Sequence, residues 1–176
     1  MNIVFVSAPP KGDNDLLLSR FADCVAARGI RACGIVQNNV ERCDRLPCDM
    51  EAKVLPDGPR LRISQSLGRG ARGCRLDSGA LEEAVGLVST HIQGGADLLI
   101  VNKFGKHEAA GRGMREVIGE ALSRDIPVIV GLNPLNAAPF IEFTGGEAVG
   151  LPADLGALMA WVESVVSQEE RHGELA

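Results

Sequence analysis

The sequence predicts an α/β fold: a single-domain, mostly parallel open sheet with helices on both faces. Three observations carry this expectation. Residues 2–7, 98–101 and 126–130 are short apolar runs bounded by polar residues, the composition of strands buried on both faces. Stretches with apolar residues at helical spacing alternate with them. At 176 residues and 45% hydrophobic content, the chain can bury one real core but is short for two.

In chain order, the first strand leads through a Pro- and Gly-containing loop into a helix with Leu17, Phe21, Cys24 and Val25 on one face. Arg28 lies in its last turn and Gly29 stops it. A second strand is expected over 30–36, followed by a polar stretch. Residues 52–55 and 61–63, separated by Pro56-Asp57-Gly58-Pro59, form a small hairpin within an insertion spanning about 38–63. Asp77 caps the next helix, whose buried stripe is Leu81, Val85, Val88 and Ile92. The apolar run 98–101 is the expected centre of the sheet. Met114, Val117, Ile118, Ala121 and Leu122 define another helix before the strand at 126–130. Asn133 and Asn136 follow that strand, as ligand donors or as residues that shape the turn. A last short strand or hairpin is expected over 140–143 and 148–151. Asp154 then caps a final helix with Leu155, Leu158, Val162 and Val165 inward. The domain ends near 167, and 168–176 reads as a flexible tail.

A net charge of -5, no tyrosine and few other aromatic residues exclude a general nucleic-acid binder, which needs a basic surface and stacking platforms. No apolar run reaches membrane-spanning length and the first residues carry no basic leader, so a cytoplasmic protein without membrane insertion is expected. Five cysteines without a secretion signal read as reduced thiols. Cys24 and Cys33 fall on apolar faces as core residues. Cys43 and Cys48 have a spacing near that of zinc knuckles, and Cys74 adds a third candidate ligand, but no further Cys or His pair completes a four-ligand site.

Positive charge is concentrated in two glycine-containing loops. The first follows the central strand and holds Asn102, Lys103, Gly105, Lys106, His107, Arg112 and Arg115. An open α/β sheet places such a loop at its ligand crevice, where glycine lets backbone amides approach and the cations supply donors for an oxyanion. The second, over 64–75, carries Arg69, Arg72 and Arg75 and leads into the helix capped by Asp77. Were the two loops to meet, Lys103, Lys106 and Arg112 would share one anion with the three arginines. Otherwise these cations pair with surface carboxylates.

Residues 4–18, Val-Phe-Val-Ser-Ala-Pro-Pro-Lys-Gly-Asp-Asn-Asp-Leu-Leu-Leu, resemble the opening of P-loop nucleoside triphosphatases. The working motif requires two glycines, a lysine and a Ser or Thr; Ala8, Asp13, Asn14 and Asp15 stand in those places. Asp15 is read instead as a metal ligand or a helix cap. Residues 99–108 resemble the strand of small bacterial and archaeal nucleoside triphosphatases that ends Asp-Glu-x-Gly-x-x-Glu. Asn102 and Lys103 replace the magnesium-linked Asp and the catalytic Glu, while Gly105 and Glu108 match. The resemblance thus implies a P-loop NTPase-like fold with degenerate Walker motifs and no hydrolytic pair.

Nearly the whole chain resembles an uncharacterised bacterial domain family whose members occur beside molybdate-transport genes. The matching strings are Cys48-Asp-Met50, Ile63-Ser-Gln65, Gly73-Cys-Arg-Leu-Asp77, Val101-Asn-Lys-Phe-Gly-Lys106 with Glu108, and Gly111-Arg-Gly113. The family's chemistry is unassigned, but molybdate is a tetrahedral oxyanion, so the gene neighbourhood and the basic glycine loops together lead to the expectation of a non-hydrolytic, regulatory protein in molybdenum metabolism that binds an oxyanion such as molybdate or phosphate, with nucleotide as the second choice. Its ligand residues would be Asn102, Lys103, Gly105, Lys106, Arg112, Arg69, Arg72 and Arg75. Two rival readings remain. One is a nucleoside triphosphatase or phosphotransferase in which Lys103 replaces the P-loop lysine and Glu108 is the base. The other is an interaction module that docks through residues 43–50 on a transporter or cofactor-synthesis protein.

Overall fold

The computed structural model describes residues 1–7, 14–40, 49–65 and 75–173, with side chains described as far as 166. Strands β1 (Ile3–Val6), β2 (Ala32–Val40), β3 (Asp49–Leu55), β4 (Arg60–Arg62), β5 (Leu98–Phe104), β6 (Val128–Leu132) and β7 (Val149–Leu151) form one sheet in the order β4-β3-β2-β5-β6-β1-β7. The five strands from β2 to β7 in that order run parallel. The other two, β3 and β4, add antiparallel at one edge.

Helices cover both faces. On one side α1 (Asn14–Ala27) and α6 (Leu155–Gly173) bury Leu18, Phe21, Val25, Leu158 and Val162 against Val4, Val6, Leu98 and Ile100. On the other, α2 (Ser78–Gln93) and α4 (Met114–Ser123) bury Leu81, Val88, Ile92, Val117 and Ile118 against Leu99, Val101, Val128 and Val130. Leu98 and Ile100 of β5 face one layer and Leu99 and Val101 the other, as the two-residue period of a strand requires. Cys33 lies in the core as expected, and burial pushes its thiol up to about 12.

Several expectations change. Strand β2 continues to Val40, because the polar residues after Val36 find ladder partners on β3: Gln37 opposite Ala52 and Asn39 opposite Met50. The expected hairpin is present as β3 and β4, and it joins the edge of the main sheet through β2. Residues 106–109 form a short helix, α3, inside the loop expected to be irregular. The stretch 140–143, expected as a strand or hairpin, lies in helix α5 (Ala137–Phe143). Helical spacing directs Phe140 inward, where its ring meets Phe5 at 5.6 Å and Phe104 at 5.1 Å edge to face. Helix α6 continues to Gly173, through most of the stretch read as a tail.

Chain order reverses around β1. From it the chain crosses to β2 and returns through β5 and β6, whereas β7 lies on its other side. The first turn of α1 thereby stands at the carboxyl edge of the sheet, beside the ends of β5 and β2, where open α/β sheets hold ligands.

Candidate functional site

The site is built around one carboxylate. Asp15, in the first turn of α1, directs its side chain across the sheet edge. Its Oδ1 accepts from Asn102 Nδ2 at 2.8 Å, and its Oδ2 accepts from Gln37 Nε2 and Asn39 Nδ2, each at 3.1 Å. The Lys103 ammonium lies 3.7 Å from Oδ1. Asn102 is buried, and its Oδ1 accepts from the Gln37 backbone N–H at 2.9 Å. That bond fixes the amide orientation, since only the NH2 end can then face Asp15. Gln37 Nε2 also donates to Asn39 Oδ1 at 2.9 Å.

An irregularity in β5 aims these groups. Between Val101 and Phe104 the register against β6 shifts by one residue, so Asn102 and Lys103 fall in a bulge that turns both toward α1. Opposite the bulge stands Gly131, where an added Cβ would lie 2.1 Å from the Asn102 carbonyl oxygen. Only glycine fits that approach of the two strands.

A magnesium ion of the P-loop kind does not fit this donor set. Such an ion takes oxygen lone pairs from a helix hydroxyl and a strand carboxylate. Here the strand residue is an amide and the helix residue an acid. Among the described residues, three side-chain amides donate to Asp15 and the Lys103 ammonium stands beside it, so positive hydrogen and charge face its oxygens. The protein's own amides and the Lys103 ammonium neutralise Asp15.

The loop after β5 is organised by different carboxylates. Glu108, buried, accepts from Gly105 N through Oε2 at 2.8 Å, closing the first turn of α3, and through Oε1 from Met114 N at 3.4 Å at the start of α4. Glu82 of α2 accepts from His107 Nε2 at 2.7 Å and from Gly113 N at 3.1 Å. Arg115 stacks on Phe143, 4.4 Å from the ring centroid.

Of the residues expected to bind a ligand, Asn102 and Lys103 meet at Asp15. The Gly105 amide is taken by Glu108, Lys106 is exposed on α3, and Arg112 lines a groove between α2 and α4. The Arg75 carbonyl accepts from Gln65 N beside the Ser64–Leu76 bridge. Arg69, Arg72, Cys43, Cys48 and Cys74 lie outside the described residues; among the described ones no cluster of potential metal ligands occurs. Asn133 shapes its turn by accepting from Leu135 N at 3.0 Å. Gln37 and Asn39 were not anticipated, although two amides spaced by two at the end of an apolar strand are a readable mark of a polar strand end. Among the described residues no helix is long and apolar enough to cross a membrane.

Residues 3–161 match the profile of a protein family of unknown function, DUF2478. Over 165 residues, 94% of the chain, the sequence is 36% identical to a molybdenum import ATP-binding protein, ModC 2, of Bradyrhizobium diazoefficiens; that stretch is 18% of the relative's length. The fold is similar to a human cancer-related nucleoside triphosphatase, with a TM-score of 0.66 and 19% identity over 95% of this chain and 98% of that one. It is also similar to THEP1 of Aquifex aeolicus, with a TM-score of 0.63 and 16% identity over 96% and 98%. The architecture is that of P-loop nucleoside triphosphatases.

Proposed function

This chain belongs to the DUF2478 family, and for it we propose a non-hydrolytic, regulatory role in molybdenum metabolism: binding an oxyanion or phosphate ligand on a P-loop NTPase-type scaffold with degenerate Walker motifs. The observation that carries the reading is the Asp15 cluster. Both carboxylate oxygens accept from side-chain amides, and the residue in the strand-acid place, Asn102, is neutral and buried. In-line attack on a γ-phosphate needs a metal between the phosphate oxygens and an acid or amide that orients water. Here the groups in those places are committed to one another.

Lys103 is the ligand's cation in this reading. Its side chain is 45% exposed while still beside Asp15, so it reaches solvent and the crevice alike. Lys106, exposed one turn further along, supplies a second charge. Arg112, turned into the α2–α4 groove, drops out of the shell. Likeness to part of a molybdenum import ATP-binding protein supports the metabolic setting, and a transporter component is the natural partner. Glu108 does not serve as a base in this account, because backbone N–H groups occupy its two oxygens in a buried setting.

Titration calorimetry with molybdate, sulfate, inorganic phosphate and ATP, each with and without magnesium, tests the proposal. Binding of an oxyanion without magnesium, weakened about tenfold or more in Lys103→Ala and without phosphate release from ATP, is the expected result. Magnesium-dependent ATP hydrolysis would overturn it.

A further inference from the structure

Asn133 and Asn136 bracket the turn that leaves β6, and only the first is used by that turn. Asn133 Oδ1 accepts from Leu135 N at 3.0 Å, and the Asn133 carbonyl accepts from Asn136 N at 2.8 Å. These bonds close a 3-10 turn over Pro134–Asn136 and set Asn136 at the cap position of α5. Asparagine is favoured at a cap because its side-chain oxygen accepts a backbone N–H from the first turn. Here the side chain makes no such bond.

Asn136 is nevertheless only 7% exposed, and neither end of its carboxamide is hydrogen-bonded among the described residues. Every sealed side-chain nitrogen and oxygen among those residues has a partner, so this amide reaches an opening. Its direction follows from Phe140, the buried residue four positions on and on the same helix face. The Phe140 ring lies against Phe5 of β1 and Phe104 at the end of β5, the strands on either side of β6. One turn nearer the end of β6, Asn136 stands over the carboxyl edge of the same three strands, and its amide opens onto the crevice. A largely buried amide without a partner costs free energy, and neither the cap nor the turn accounts for it. Positions that break such a rule are expected where a chain meets its ligand.

We propose that Asn136 is a ligand-binding residue of the crevice, its NH2 donating to an oxygen of the oxyanion or phosphate that Lys103 neutralises. The inference rests on the oxyanion reading of the crevice. The two residues approach from opposite faces of the sheet: Lys103 is turned toward α1, whereas Phe140, one turn from Asn136, belongs to the layer of α2 and α4. Phe104, next to Lys103, pairs with Leu132 of β6, so the ligand lies over the end of β6 between them. The roles differ. An ammonium on a flexible stem attracts any anion in reach, while a carboxamide held by a closed turn accepts an oxygen only at one distance and direction.

The test uses the full chain. Titration calorimetry with molybdate and with inorganic phosphate compares wild type, Asn136→Leu, Asn136→Asp and Lys103→Ala at low and high salt. Leucine has the shape of asparagine without its donor. Asn136→Leu should weaken binding of the preferred anion about tenfold or more. That loss should persist at high salt because the donor is uncharged, whereas the loss in Lys103→Ala shrinks as salt screens the ammonium. Asn136→Asp, which replaces the donor by a negative charge, should weaken binding at least as far. Thermal unfolding without ligand should place Asn136→Leu at or above the wild-type midpoint, since no hydrogen bond within the chain is lost. A residue that only shapes the turn would lower it. Full affinity in Asn136→Leu, or a midpoint lowered by more than about 4 °C, would overturn this inference and leave the role of Lys103 standing. Wild-type protein that binds neither anion would overturn both.

Discussion

The crevice around Asp15 and the groove between α2 and α4 both contain carboxylates, and they treat them in opposite ways. At the crevice, amides of Asn102, Gln37 and Asn39 converge with Lys103 on one acid whose side chain is 13% exposed. In the groove, Glu116 stands exposed beside an open volume. A buried carboxylate is tolerated only when donors surround it, whereas one in water needs none. The first arrangement fixes the ends of three elements to one another. The second leaves its charge available to something outside the chain. Acids in an NTPase-like scaffold are therefore not evidence of metal chemistry by themselves; the partners that surround each acid decide its use.

Substitutions should separate the two regions by the size of their effects. The largest loss is expected from Asn102→Ala, which leaves the Gln37 backbone N–H without its acceptor and removes one donor from Asp15. Urea unfolding should show about 1 to 3 kcal/mol of destabilisation. Glu108→Ala comes next. It uncaps Gly105 and Met114, and thermal unfolding should report a loss of about 0.5 to 2 kcal/mol. Asp97, at the opposite edge of the sheet, is intermediate in kind. Burial raises its carboxyl, but the hydrogen bonds and charge of Arg31 outweigh that and hold it below its ordinary value of 3.8. Because the folded value is the lower one, the pair's contribution is fully present above the unfolded value and is lost as pH falls below 3.8 through the folded one. The stability difference between wild type and Asp97→Asn should therefore shrink over that acid range and stay constant above it, as pH-dependent urea melts can check. The smallest effect belongs to the groove: Glu116→Ala should leave stability within about 0.5 kcal/mol of wild type. A cost above 1 kcal/mol there would break the contrast.

Much of the framework was legible because it rests on local patterns. The alternation of apolar strands with helical stripes, the cap at Asp77 and the burial of Cys33 are decided by periodicity and volume, which neighbouring residues reveal. Helix α5 was misread because its seven residues are short and apolar; Phe140 is placed by rings from β1 and β5, distant in sequence. The extension of β2 to Val40 depends on pairing with β3, so its polar residues looked like loop. At the site, the residue types of Asp15 and Asn102 were readable from the sequence alone. That the two bond to one another was not, since Asp15 and Asn102 are 87 positions apart. The course of the loop after β5 was hidden for a related reason. Residues 102–112 are close in sequence, yet a bulge and a short helix send Lys103 to the crevice and Arg112 to the groove.

The central claim, that the crevice is closed to metal-dependent nucleotide chemistry, is tested most directly by nuclear magnetic resonance of the side-chain NH2 groups of Asn102, Gln37 and Asn39. Manganese with ATP is added to the protein, and the paramagnetic ion broadens every signal near it. The account predicts that these three pairs of resonances keep their intensity, because the donors around Asp15 keep the metal–nucleotide complex from settling within range of them. Selective broadening of the Asn102 and Gln37 signals, reversed by chelator, would place a metal–nucleotide complex in the crevice and contradict the account.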